Sequence, residues 1–341
     1  TIQQWLPPSP LPMMAKISQH PHLSLPSAHK SHIWGISYFP IQAKVSDAKA
    51  KSRILLATAS ADSTAKLWGG GGECLGVLNG HEGPVFGVGF APDGKILATC
   101  GYDNTVRLWV KVKGPEGREG EMSRDGRRRL YELKEQGFWD TRLVLRGHKN
   151  SVNSVSWNPT GTLLASASAD NTIRLWTLDG VCKRVFNGHT DDVQSCALFP
   201  DSKFLVSCSW DKTVKIWKLV DGVEMRTIIG HRSYIWGVDV SPNGEYIVSC
   251  GWDESARVWT KNGRILTAMS HSGRVTNIKF SPNSNLIATS SLDNTTKIWT
   301  LAGKYVRTIQ NDSGVQSVAW APGGEYIATG TAKGVMTLWR V

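Results

Sequence analysis

Along most of the chain, apolar and polar residues alternate in runs of five or six that end at polar turns roughly every ten residues, the pattern of short, half-buried strands. One such run recurs seven times with nearly the same letters: TAKLW, TVRLW, TIRLW, TVKIW, SARVW, TTKIW and VMTLW. The closing tryptophans are Trp68, Trp109, Trp176, Trp217, Trp259, Trp299 and Trp339. Their spacings of 41, 67, 41, 42, 40 and 40 give a period near forty, broken once by an insertion. Each unit also carries a proline-glycine type of turn, such as APDG, NPTG, SPNG or APGG, between two β-rich runs. The pattern predicts four short antiparallel strands per unit.

Polar residues recur at fixed offsets from those tryptophans. Six residues before each of the first six stands Asp62, Asp103, Asp170, Asp211, Asp253 or Asp293, and the seventh unit has Lys333 there. Four residues ahead of that position every unit has a hydroxyl: Thr58, Thr99, Ser166, Ser207, Ser249, Thr289 and Thr329. A histidine precedes the aspartate by 22 residues at His81, His148, His189, His231 and His271, while His29 fills the slot in unit one, displaced by eleven extra residues. A hydroxyl, a histidine, an aspartate and a tryptophan so placed can form one buried hydrogen-bonded chain across three strands. A buried member left unpaired costs about 1–3 kcal/mol, so the expected role is structural.

The Gly-His pairs, the aspartates and the tryptophan-ended strands resemble the WD-repeat β-propellers over about residues 22–341. The resemblance implies an all-β, seven-bladed propeller of four-stranded antiparallel blades. Unit seven departs, with Asn311 and Lys333 for the histidine and aspartate, and its blade is expected to lack the full network. It also holds only three strands of its own. Residues 22–27 (HLSLPS) occupy the place that CLGVLN and CKRVFN hold ahead of other histidines, and are expected to add the missing outer strand and close the ring. The Asp-Gly turns and the TLDG and TLAG connectors look like those of bacterial, cyanobacterial-type propellers. Such propellers commonly form the sensor of a larger multidomain signalling protein.

Two insertions break the period, at about 41–53 in blade one and 110–138 in blade two, and both are expected to emerge from the bottom face as solvated loops. Residues 1–21, with Pro7, Pro8, Pro10, Pro12 and Pro21, read as an extended tether.

Composition narrows the chemistry. With 341 residues, 40% hydrophobic and 20% charged, the chain has enough apolar material for a large core, and no run approaches the ~18 apolar residues of a membrane span. A monomeric, cytoplasmic protein with no membrane partner is expected. Six cysteines contain no CxxC pair, and Cys100, Cys208 and Cys250 share one strand slot, as small buried residues in a reducing compartment would. The +11 net charge is spread around the ring by Lys66, Arg107, Arg174, Lys215, Arg257 and Lys297, each two residues before the strand-ending tryptophan, and only Arg127–Arg129 are clustered. Six of nine histidines belong to the repeat, no nucleophile–base pair stands out, and Gly69–Gly72 join two strands rather than open a helix. No catalytic residue, metal or cofactor is expected.

Of fifteen tryptophans, seven end strands, and Trp157 and Trp320 share a slot held elsewhere by Tyr38, Phe90, Phe199 or Phe280. Trp5 and Trp139 fall outside the repeat. Four remain. Trp210 and Trp252 precede the aspartates of blades four and five, where blade two has Tyr102; Trp34 and Trp236 lie five residues after a histidine, where Phe86 also stands. By the resemblance, these slots and Tyr234 line the top mouth of a propeller, with Asp191, Asp192, Arg232 and Arg274 as a polar rim. The expected function is a non-catalytic scaffold that binds a protein or peptide there. The alternative is a nucleic-acid-binding propeller using the basic surface and the 110–138 insertion.

Overall fold

The computed structural model describes residues 21–40, 54–112 and 138–341. The tether up to residue 20, with Trp5, the 41–53 insertion and Arg127–Arg129 lie outside those residues. Among the described residues, 28 strands form seven four-stranded antiparallel sheets. Blade four shows the plan: Val193–Leu198 lines the centre, Phe204–Ser209 and Thr213–Lys218 follow outward, and Glu224–Ile229 forms the rim. The second strand Ile96–Gly101 is buried at every residue and others, such as Phe204–Ser209, at all but the first, whereas rim strands such as Cys182–Asn187 alternate. That is the gradient expected of sheets stacked face to face around an axis.

The core lies between blades. Phe199, Val206 and Ile216 of blade four pack with Ile235, Val238 and Trp259 of blade five in one buried cluster. Trp157 Nε1 donates to Gly89 O at 2.9 Å, and Trp320 Nε1 to Lys279 O at 3.2 Å, each tying its blade to the one before. The register corrects one slot: Leu198, opposite Leu205, is the residue equivalent to these tryptophans, and Phe199 follows it as a fully buried core side chain.

Closure uses the N-terminal segment. Leu23–Leu25 pairs antiparallel with Met336–Arg340 to complete the seventh sheet, and His22 N–H donates to Leu338 O at 2.8 Å. Leu23 and Leu25 pack on the buried cluster shared by blades seven and one. In blade two, Val110–Val112 and Phe138 pair across the sheet, so those flanks of the second insertion are strand, and Trp139 lies in the fourth strand against Phe90.

The six complete networks are closed. In blade four His189 Nδ1 stands 2.6 Å from Asp211 Oδ2 and Nε2 2.7 Å from Ser207 Oγ, and Trp217 Nε1 donates to the same Oγ at 2.8 Å. A carboxylate only accepts, so Nδ1 carries the proton; Nε2 of the neutral ring then accepts from the serine hydroxyl. The other five repeat this arrangement, from His29, Thr58, Asp62 and Trp68 to His271, Thr289, Asp293 and Trp299. Burial opposes the charge on Asp211, yet hydrogen bonds from His189 and Thr213 outweigh it and hold the carboxyl at about 2.

Blade seven keeps half of the chain. Trp339 Nε1 donates to Thr329 Oγ1 at 3.0 Å, and that hydroxyl donates to Asn311 Oδ1 at 3.0 Å. The aspartate's other task is to bind the turn it stands in: Asp62 Oδ1 accepts from Thr64 N–H and Oγ1–H, beside Ser63 at φ 69°. Lys333 cannot do this, and the left-handed residue after it is glycine, Gly334 at φ 77°, which needs no such support.

Candidate partner-binding mouth

Every first strand opens with a register shift, and the bulged residues are Trp34, Phe86, Asn153, Gln194, Trp236, Thr276 and Gln316. A bulge re-aims the side chain it carries. Here all seven side chains line a central cavity of about 420 Å³. Asn153 and Thr276 turn theirs to the next blade, donating to Val193 O at 3.1 Å and Val315 O at 2.6 Å.

The seven aromatic residues expected at the mouth divide into two groups and one outlier. Trp210, Tyr234, Trp236 and Trp252 form one cluster at the junction of blades four and five. Trp236 and Trp252 stack at 5.2 Å between centroids, and Trp210 lies 5.2 Å from Tyr234 and 5.9 Å from Trp236. Arg274 places its guanidinium 4.0 Å over Trp252. Trp34 and Phe86 meet edge to face at 6.1 Å across blades one and two, with His32 stacked on Trp34 at 5.4 Å. Tyr102 is 60% exposed and contacts no other aromatic ring among the described residues. The cavity reaches Trp34, Phe86, Tyr102, Trp210 and Trp236, with Tyr234 and Trp252 behind the last two.

Two features of this mouth leave bonding capacity open. The indole N–H groups of Trp34 and Trp210 are buried without a hydrogen-bond partner, and the Gln194 carboxamide also has none among the described residues. Burial, then the neighbouring Asp191, pushes the Asp192 carboxyl up from its usual range. Asn153, Gln194, Thr276 and Gln316 were legible as a slot, since each stands five residues after the histidine position that picked out Trp34 and Trp236; their polar character concealed them.

Other candidate chemistry closes on itself. The six cysteines are free thiols, and burial pushes the Cys196 thiol up to about 12. Among the described residues no group of three or more histidine, cysteine, aspartate or glutamate side chains could hold a metal, and no helix is long and apolar enough to cross a membrane. The basic residues of the third strands are engaged within blades: Lys66 Nζ donates to Ala28 O at 2.7 Å, Lys215 pairs with Glu224 at 2.8 Å, and Arg257 lies 3.6 Å from Asp253.

The repeat model described as WD domain, G-beta repeat matches residues 72–110, 139–177, 180–218, 222–260, 263–300 and 303–340. The chain belongs to this WD-repeat family. Among curated proteins it is similar to the ribosome biogenesis protein WDR12 homolog of Drosophila erecta, 34% identical over 124 residues, covering 35% of this chain and 27% of the relative. It is also similar to the probable cytosolic iron-sulfur protein assembly protein Ciao1 of Culex quinquefasciatus, 37% over 103 residues, or 30% and 24%. The probable cytosolic iron-sulfur protein assembly protein 1 of Neurospora crassa is 29% identical over 206 residues, or 47% and 42%. The matched segments thus span less than half the length of these relatives.

Proposed function

We propose that this WD-repeat propeller is a non-catalytic scaffold that captures a protein or peptide partner at its top mouth. The observation that carries the reading is the four-ring cluster of Trp210, Tyr234, Trp236 and Trp252, which opens on a cavity and leaves the Trp210 N–H buried and unpaired. Rigid aromatic side chains bury large areas at low conformational cost, which suits binding hot spots. Relatives named for biogenesis and assembly accord with a scaffold. The engagement of Lys66, Lys215 and Arg257 inside their blades weakens the nucleic-acid alternative.

A finer reading makes the ring the sensing part of a larger signalling protein in the cytoplasm. It rests on the connectors, the proline-rich stretch and the free thiols.

The test is comparative affinity capture from native lysate with the wild-type chain and the Trp210→Ala, Trp252→Ala double variant. A partner held by the wild type should be lost by the variant while the variant's melting stays cooperative. Equal recovery of every captured protein by the two chains would refute the mouth as the binding face.

A further inference from the structure

Resting on that reading of the mouth, we infer that the corner between Asp192 and Trp210 receives a basic side chain, arginine or lysine, of the partner. The argument starts from the charges of the cavity wall. Its lining includes two side chains charged at neutral pH, Asp192 and Lys279. Lys279 Nζ is already held by Asp239 Oδ1 at 3.2 Å. The Asp192 carboxylate makes no hydrogen bond and no ion pair among the described residues, since only its backbone groups are engaged, N–H to Asp191 Oδ1 at 2.9 Å and C=O from Trp210 N–H at 3.0 Å. The cavity wall therefore carries one uncompensated negative charge, although the chain as a whole is strongly positive.

That charge shares its cavity wall with rings. Asp192, Trp210 and Trp236 line the same cavity, the main chains of Asp192 and Trp210 are tied by the backbone bond, and Trp210 contacts Tyr234, Trp236 and Trp252. A carboxylate and aromatic rings lining one cavity together favour a cation, through a charge-assisted hydrogen bond to the first and the ring quadrupole of the second. The cluster already holds one guanidinium in this way, that of Arg274 over Trp252. Gln194, which also lines the cavity and whose carboxamide has no partner among the described residues, adds a carbonyl oxygen able to accept from a guanidinium or ammonium. A phosphate or a carboxylate brought to this corner would meet Asp192 instead, so acidic peptides and nucleic-acid backbones are disfavoured there.

The experiment pans a random dodecapeptide display library on the full chain and measures selected peptides against the wild type, Asp192→Asn and Trp210→Ala. Asp192→Asn should not lower the melting temperature, because the side chain it alters has no partner and burial and Asp191 already disfavour its charge. The expected result is enrichment of peptides with an arginine or lysine whose replacement by alanine, like Asp192→Asn, weakens binding at least tenfold. Peptides anchored by apolar or acidic residues, insensitive to Asp192→Asn yet abolished by Trp210→Ala, would overturn this inference and leave the mouth as the binding face. Peptides indifferent to both variants, or no enrichment at all, would overturn both. As a second arm, a fluorescein-labelled twelve-nucleotide oligouridylate should not bind the mouth; binding that tightens on Asp192→Asn would overturn the inference in favour of nucleic acid.

Discussion

Replacing Ser207 by alanine tests whether the repeated polar chain holds each blade together. The Ser207 hydroxyl is fully buried, donates to His189 Nε2 at 2.7 Å and accepts from Trp217 Nε1 at 2.8 Å. Alanine removes both bonds and leaves two buried groups, an imidazole nitrogen and an indole N–H, without their partner. At about 1–3 kcal/mol for each, the loss is about 2–6 kcal/mol, a large part of the ~5–15 kcal/mol by which a folded domain is stable. Threonine fills this slot as Thr58, Thr99 and Thr289 in blades one, two and six, so Ser207→Thr keeps the bonds and should cost about 1 kcal/mol, the low end for one added methyl group.

The assay is urea unfolding followed by tryptophan fluorescence, with hydrogen exchange to locate the effect. Because each blade contacts chiefly its neighbours, exchange in Ser207→Ala should accelerate most in blade four, through Thr213–Lys218 and Glu224–Ile229. Equal stability of the alanine and threonine variants would refute the reasoning, since it would mean that the hydroxyl contributes volume and not bonding.

Deleting residues 1–27 should lower the melting temperature, because it strips Leu23 and Leu25 from a buried cluster and leaves Met336–Arg340 an open edge; an unchanged melting temperature would exclude closure by this strand. Acid should destabilise the ring in two stages. Burial holds the His29 and His271 imidazoles below their usual pKa despite their aspartate partners, so the stability they contribute is complete above about pH 6.5 and declines as pH falls below it. Asp62, Asp211 and Asp293 are held near 2 from a usual 3.8, so their contribution is complete above about pH 4 and is lost as pH falls toward 2. Thermal melts from pH 7.5 to 2.5 check both, and a flat profile would contradict the hydrogen-bonded geometry.

The fold was legible because it rests on offsets within one unit. The bonded His, hydroxyl, Asp and Trp partners lie 10 to 33 residues apart along the chain, and the structure brings them within hydrogen-bond reach in six blades. What sequence could not supply is contact between units. That Trp210 of one blade stacks with Tyr234 of the next depends on the angle between sheets, and no periodicity encodes it. The same holds for Trp139, which read as lying outside the repeat because the insertion separates it from its own blade, yet its ring packs on Phe90. Leu198 and Phe199 exchanged roles for a smaller reason: two adjacent apolar residues at a strand end differ only in which face the pleat gives them.

The seven units of one chain provide their own comparison of positions under the same physical demand. Where the demand is bonding inside a blade, the slot hardly varies: a serine or threonine accepts from the tryptophan in all seven blades, even in the seventh, where Asn311 replaces histidine. Where the demand is only to occupy the bulge at the mouth, the slot varies freely among Trp34, Phe86, Asn153, Gln194, Trp236, Thr276 and Gln316. The blade needs a bulge there, and it is indifferent to what the bulge carries. At the mouth, open bonding capacity stands at the varying positions and their neighbours: the Trp34 and Trp210 N–H groups, the Gln194 carboxamide and the Asp192 carboxylate. A fold that closes its repeated His, hydroxyl, Asp and Trp chain internally is free to leave some of its variable bulge positions and their neighbours unsatisfied along the cavity, and three of these four groups, those of Asp192, Gln194 and Trp210, belong to blade four.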